Sequence, residues 1–212
     1  MKKTNQQSLV LFDFDGTLSA GDANIGFFKY CFAHSMRPWL FSPIVASAFV
    51  LQFFTFIAKK IFCIKCLTKF DLIWRQMLRM YLTHDMVKKF APRFIAEYKQ
   101  SRFGWAAERV AAESAAGNTV IMISASPAYL LLPLVEDMGF DYIICSDVEL
   151  TRPWKFKFFA YGENKVKILR AIFGKNKYVV VRAYSDSKSD LPMMNLAAEQ
   201  VWIDPKTGLR KC

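Results

Sequence analysis

The chain has 212 residues, 53% of them apolar and 16% aromatic, and its 29 Lys and Arg against 18 Asp and Glu leave a formal net charge of +11. That balance excludes an intrinsically disordered chain, a collagen and a small disulfide scaffold, and the length suits one core domain with room for an insertion. Five cysteines, odd in number and unevenly spaced (Cys31, Cys63, Cys66, Cys145, Cys212), fit a reducing compartment and a cytoplasmic setting.

Met1–Gln7 is basic and polar, and the apolar run Leu9–Phe12 stops at Asp13, so no secretory signal is expected. Ser8–Phe12 reads as a short buried strand. Residues 20 to 105 then carry 13 basic residues against 4 acidic, which places nine of the eleven excess charges in this block. Within it, Pro38–Ala58 runs 21 residues without a charge, long enough on its own for a membrane span. Helical periodicity follows over Leu72–Leu82 and Met86–Gln100. Trp105–Ala116 predicts a helix closed by Gly117, Thr119–Ile123 a second buried strand, and Pro127–Met138 a helix that ends at Gly139. Tyr142–Cys145 is a third strand, Glu163–Phe173 a helix closed by Gly174, and Tyr178–Ala183 a fourth strand. Continuously apolar strands alternating with helices imply a parallel sheet covered on both faces, with catalytic groups at the strands' carboxyl ends.

The residues just beyond these strands fit that expectation. Asp13-Phe14-Asp15-Gly16-Thr17 comes after the first, Ser124-Ala125-Ser126 after the second, and Ser185-Asp186-Ser187-Lys188-Ser189-Asp190 after the fourth, with Lys165 early in the helix before it. Acids and hydroxyls therefore collect along one sheet edge. Each also has a plainer reading: Asp13 and Asp15 as helix caps, Ser124 and Ser126 as caps before Pro127, Asp186 and Asp190 as turn residues, Lys165 as a solvated helix-face lysine. Cys63 and Cys66 have a metal-like spacing, but no second pair follows and His34 and His84 are the only histidines, which speaks for ordinary thiols. No nucleic-acid module matches the basic residues.

The four elements together resemble the haloacid dehalogenase-like (HAD) superfamily of hydrolases. Asp13–Thr17 matches its first motif, Ser124 the second, Gly162-Glu163-Asn164-Lys165 the third and Ser185–Asp190 the fourth. The resemblance implies an α/β fold: a Rossmannoid three-layer α/β/α parallel sheet formed by residues 1–19 and 105–212, with an inserted helical C1-type cap at 20–104. It implies a Mg²⁺-dependent phosphatase in which Asp13 attacks phosphorus to form an aspartyl-phosphate and Asp15 serves as acid and then base. Gly16, Thr17, Ser124, Ala125 and Lys165 are expected to hold the phosphoryl group, with backbone N–H groups near Gly16 exposed to it. Asp13, Asp15 (through its carbonyl) and Asp186 are expected at the metal, and Asp190 there through water or as a partner for Lys165.

Within that superfamily the chain resembles the phosphoserine-phosphatase-like branch, subfamily IB, and most of all its phosphatidylglycerophosphatase C type. This implies a membrane lipid phosphate such as phosphatidylglycerophosphate as substrate, with a small soluble phosphomonoester as the alternative and a non-catalytic phosphate-binding scaffold as a remote one. Because Asp13 precedes the apolar run and Ser124 and Asp186 follow it, a single crossing would separate groups that must meet. The expectation is a re-entrant or interfacial segment at 38–69, with Trp39, Phe41, Phe49, Phe53, Phe54 and Phe56 at the headgroup boundary and Lys59, Lys60, Lys65 and Lys69 against an anionic membrane surface, the alternative being an ordinary soluble cap that takes the apolar run into its own core. The expected location is the cytoplasmic side of the cell membrane, or else the cytoplasm. No obligate protein partner is evident.

Overall fold

A computed structural model describes residues 6–35, 47, 50, 82–149, 155–174 and 177–211. Strand β1 (Gln7–Phe12) lies inside its sheet, and Leu9, Val10, Leu11 and Phe12 have no exposed surface at all. A pleated strand sends alternate side chains to opposite faces. Val10 and Phe12 accordingly join one core with Val120, Met122, Leu131 and Tyr184, while Leu9 and Leu11 join another with Ile121, Ile123, Leu169 and Ala183. Two cores are what an uninterrupted apolar strand requires.

The sheet has six strands: β1, β2 (Thr119–Pro127), β3 (Tyr142–Glu149), β4 (Lys155–Phe158), β5 (Tyr178–Ser185) and β6 (Ala197–Trp202). Their spatial order is β4-β3-β2-β1-β5-β6. The pairs β1–β2, β2–β3, β1–β5 and β5–β6 are parallel. The described helices are α1 (Ala23–His34), α2 (His84–Tyr98), α3 (Trp105–Ala115), α4 (Ala128–Val135), α5 (Glu163–Phe173) and α6 (Leu191–Met194). Ala106 and Val110 of α3 and Leu131 and Leu134 of α4 cover one face. Leu169 of α5 and Met193 and Met194 of α6 cover the other, so the fold is the expected layered α/β arrangement. From β1 the chain builds outward through β2, β3 and β4, then returns to the far side of β1 with β5 and β6. Strand order thus reverses at β1, and the crevice at such a switch point is where ligands bind in open α/β sheets.

Several elements end where the residues predicted. Gly117 and Gly174 follow α3 and α5 with φ of 81° and 77°, values that favour glycine. Other boundaries differ. Strand β2 continues past Ile123 to Pro127, β3 reaches Glu149, and α4 is shorter than Pro127–Met138 because Pro127 stays extended as its N-cap, with ψ of 147°. Strands β4 and β6 were not anticipated.

The chain divides into two compact units, one of residues 1–26, 93–148 and 156–212, the other of Phe27–Pro92 and Glu149–Lys155. Ala23 belongs to the first sheet core, and Ile95 and Tyr98 pack against it, so the ends of α1 and α2 are part of the sheet-bearing unit. In the second unit, Tyr30 stacks on His34 at 4.1 Å. The segment 38–69 lies outside the described residues apart from Ser47 and Val50, as does 72–81 of the periodic stretch. Among the described residues no helix is long and apolar enough to cross a membrane. Cys31 and Cys145 are free thiols.

Phe12 stacks on Tyr184 with ring centroids 4.2 Å apart and planes 5° from parallel, and has no exposed surface. Phe12→Ala is expected to lower unfolding stability by about 3–5 kcal/mol, read as a reduced midpoint in urea denaturation.

Candidate active site

Strands β1, β2 and β5 deliver Asp13, Ser124 and Asp186 to neighbouring points on the carboxyl edge of the sheet. Asp13 sits one residue beyond β1, where its N–H donates to the Tyr184 carbonyl at 3.0 Å, so its backbone still follows β5. The Lys165 ammonium meets Asp13 Oδ1 at 2.7 Å and Asp190 Oδ1 at 2.8 Å. Lys165, Asp13 and Asp190 are 2%, 6% and 2% exposed, which makes this a buried three-membered charge cluster rather than a surface ion pair. Burial works against the charged Lys165, yet the two carboxylates outweigh it and hold the ammonium above its ordinary value. Burial likewise pushes Asp13 up, against the pull of Lys165.

The second oxygen of each acid is also engaged. Ser185 donates to Asp190 Oδ2 at 2.8 Å. Asp190 therefore spends both oxygens on Ser185 and Lys165. Thr17 is buried among Asp13 and Asp186: its hydroxyl accepts the Asp186 N–H at 3.0 Å and lies 3.4 Å from Asp13 Oδ2 and 3.5 Å from Asp186 Oδ1. Burial raises the Asp186 carboxyl as well.

Asp15 stands in different surroundings. Its Oδ1 accepts the Ala23 N–H at 2.7 Å, at the first residue of α1, and its Oδ2 accepts the Ser126 hydroxyl at 2.5 Å, with Ser124 Oγ at 3.4 Å. One carboxyl group thus accepts the first N–H of α1 and also faces the Ser124–Ser126 segment. Burial, with Asp22 adding to it and the Ala23 and Ser126 donors opposing it, pushes Asp15 up to about 7. That suits a group that must give and take a proton near neutrality.

Gly16 is required on two counts. Its φ is 76°, and a Cβ there would lie 2.5 Å from Asp186 Oδ2. Its own N–H donates to the Ser19 carbonyl at 2.9 Å. Ser124 is fully buried and accepts the Ser126 N–H at 3.1 Å; the Ala125 carbonyl accepts the Ser146 hydroxyl at 2.8 Å. Ser126 and Ser185 stand in the segments the residues mark, although neither is expected to hold an acid; Ser146, in the middle of β3, carries no local signal.

Among the described residues, four carboxyl groups share this edge with one buried ammonium and with the exposed Lys211, which donates to the Asp186 carbonyl at 3.3 Å, and desolvation raises three of the four. Such a donor set calls for a further positive charge. Among the described residues no three His, Cys, Asp or Glu side chains converge as a ready-made metal cage. Asp13 and Asp186, both against the Thr17 hydroxyl, fit a hard cation that keeps most of its water, as Mg²⁺ does.

A family model described as haloacid dehalogenase-like hydrolase matches residues 10–195. A probable phosphatase of Mycobacterium tuberculosis is 31% identical over 116 residues, covering 51% of this chain and 40% of that protein; the match thus spans well under half of the relative's length. A protein of unknown function from Bordetella pertussis has a similar structure, with a TM-score of 0.67, 17% identity and coverage of 96% of this chain and 93% of that one. A phosphoserine phosphatase, solved as an analogue of its phospho-aspartyl intermediate, has a TM-score of 0.59 at 18% identity, covering 95% and 88%. At these identities the structural likenesses speak for the fold.

Lys165→Met removes the ammonium that bridges Asp13 and Asp190. Stability is expected to fall by about 3–5 kcal/mol, the usual effect of leaving one side of a buried charge cluster unpaired; urea unfolding against wild type measures it.

Proposed function

Because the chain belongs to the haloacid dehalogenase-like hydrolase family, we propose that it is a phosphatase that cleaves phosphomonoesters through a covalent intermediate on Asp13. The observation that carries this reading is the contrast between two neighbouring carboxyl groups. Asp13 is held by an ammonium at 2.7 Å, whereas Asp15 is held by neutral donors only, a main-chain N–H and a serine hydroxyl. Burial pushes both carboxyls up, Asp13 to about 8 and Asp15 to about 7, so it is the ammonium beside Asp13, together with the cation that Asp13 would help to hold, that favours its charged, nucleophilic form, while the neutral donors leave Asp15 to exchange protons.

In the first step an Asp13 carboxylate oxygen bonds to phosphorus as the bond to the leaving oxygen breaks, and Asp15 gives that oxygen its proton. In the second, Asp15 takes a proton from water, whose oxygen attacks phosphorus; phosphate leaves and Asp13 is restored. Lys165 and the Ser124 hydroxyl, both fully or nearly buried, stabilise the phosphoryl oxygens in a setting where water competes little. Asp190 holds and aims the Lys165 ammonium, and Thr17 fixes Asp13 and Asp186 relative to each other. Asp13, Asp186 and the main-chain carbonyl of Asp15 would hold Mg²⁺, which when bound offsets the carboxylates' charge and polarises the phosphoryl group.

For the substrate, a small soluble phosphomonoester of the phosphoserine kind is the better supported reading: the named relative is a probable phosphatase, and the fold follows that of phosphoserine phosphatase over 95% of the chain. A lipid phosphate is the second reading. It rests on the sequence of residues 38–69, where an uncharged, Phe-rich run adjoins Lys59, Lys60, Lys65 and Lys69. The named relatives carry hydrolase and phosphatase descriptions and no lipid substrate.

Purified protein with Mg²⁺ is expected to release phosphate from phosphoserine and para-nitrophenyl phosphate. Asp13→Asn should lower kcat by at least a thousandfold, and chelation by EDTA should abolish turnover until Mg²⁺ is restored. Turnover that survives Asp13→Asn would falsify the nucleophile assignment. Turnover confined to phosphatidylglycerophosphate micelles, with none on the soluble esters, would favour the lipid reading.

A further inference from the structure

Strands β2 and β3 pair in register up to Ile123 opposite Ile144, and pairing resumes only at Pro127 opposite Ser146. Four residues of advance along β2 are matched by two along β3. The surplus falls on Ser124-Ala125-Ser126, the segment that carries the phosphoryl-binding hydroxyl of the proposed reaction. The parallel ladder therefore does not hold this segment to β3.

A side chain does so instead. Ser146 is fully buried, and its hydroxyl donates to the Ala125 carbonyl at 2.8 Å while accepting the Ala160 N–H at 3.1 Å. Ala160, also fully buried, begins the turn that leads into α5. There the Asn164 amide donates to the Phe159 carbonyl at 3.1 Å, Gly162 adopts φ of 55°, and the Lys165 N–H bonds to the Gly162 carbonyl at 3.1 Å. One hydroxyl thus ties the Ser124 segment to the backbone that carries Lys165. It does so from β3, a strand that contributes no group to the chemistry.

We propose that Ser146 is a positioning residue: its hydroxyl sets the spacing between the Ser124–Ser126 segment and the Lys165 end of α5, the two elements that grip the phosphoryl group. The proposal rests on the phosphatase reading above. A hydroxyl is suited to this place because it can donate to one main-chain group and accept from another at the same time. Alanine would leave a carbonyl and a buried N–H without partners and free the two segments to move apart. Phosphoryl transfer depends on alignment to a fraction of an ångström, so the loss should appear in the chemical step.

The full chain with Mg²⁺ is assayed on para-nitrophenyl phosphate as wild type, Ser146→Ala, Ser146→Thr, Ser124→Ala and the Ser146→Ala/Ser124→Ala double variant. Wild-type turnover is read first, and its absence sinks the phosphatase reading independently of Ser146. Given turnover, Ser146→Ala is expected to lower kcat at least tenfold while KM changes less than threefold. Ser146→Thr, which keeps the hydroxyl, should recover most of that loss. In the Ser124→Ala background the further loss from Ser146→Ala should shrink at least threefold, because the two residues act through one segment. Full kcat in folded Ser146→Ala, or losses that simply multiply in the double variant, would overturn the assignment. Should Ser146→Ala melt too low to assay, Ser146→Thr decides: kcat within a few-fold of wild type supports the proposal, and a tenfold loss at an unchanged melting temperature rejects it.

Discussion

One buried ammonium between two carboxylates is the constraint on which this sheet edge depends. Lys165 lies 2.7 Å from Asp13 and 2.8 Å from Asp190, and all three are almost wholly removed from water. Charges so placed are tolerated only while each keeps its partners, because an unpaired buried charge is far more costly than the pair. The three residues come from the end of β1, the start of α5 and the turn after β5. Nothing local brings them together; only a sheet that sets β5 beside β1, with α5 packed across it through Leu169, can do so. The pairing that readies the site is therefore also a test that the tertiary fold has formed.

Around this cluster the acids are satisfied largely by hydroxyls. Thr17 serves Asp13 and Asp186, Ser126 serves Asp15, and Ser185 serves Asp190. A hydroxyl fills a lone pair without bringing charge. Burial, more than any charge nearby, holds the Asp13, Asp15 and Asp186 carboxyls above their usual range, and a hard cation bound beside them would oppose that shift. Lysines in place of these hydroxyls would pair every acid and leave none free to exchange a proton. Neutral donors around Asp15 and an ammonium beside Asp13 separate the two groups by environment, although only one residue lies between them in the chain.

Much of this was legible in the residues. Strand β1, helices α3 and α5, and the placement of Asp13 and Asp186 just beyond β1 and β5 follow from apolar runs, terminal glycines and motif spacing, whereas Ser124, expected just beyond its strand, lies within β2. Strands β4 and β6 were not legible for a physical reason. Lys155–Phe158 alternates Lys with Phe and Ala197–Trp202 is mostly half-exposed, as edge strands are, so neither shows the solid apolar run of a central strand. Ser146 was invisible for another reason. Its partners are main-chain atoms of Ala125 and Ala160, and a hydroxyl that bonds to backbone leaves no pattern of side-chain types to read.

In the proposed reaction the groups assembled on the sheet edge act on the phosphoryl group alone. Carboxylates, hydroxyls and one ammonium recognise oxygen, phosphorus and charge, and they do not distinguish one leaving alcohol from another. Selectivity has to come from side chains outside this set. The 13 basic residues against 4 acidic in residues 20 to 105 do not supply it by charge alone, because a positive field raises the local concentration of any anionic phosphate, whether free in water or borne on a membrane. What separates the two cases is the uncharged run Pro38–Ala58. A lipid surface can bury such a run, and so can the interior of a helical cap over a soluble substrate, so the choice between substrates turns on which of the two covers it and not on the basic character of its surroundings.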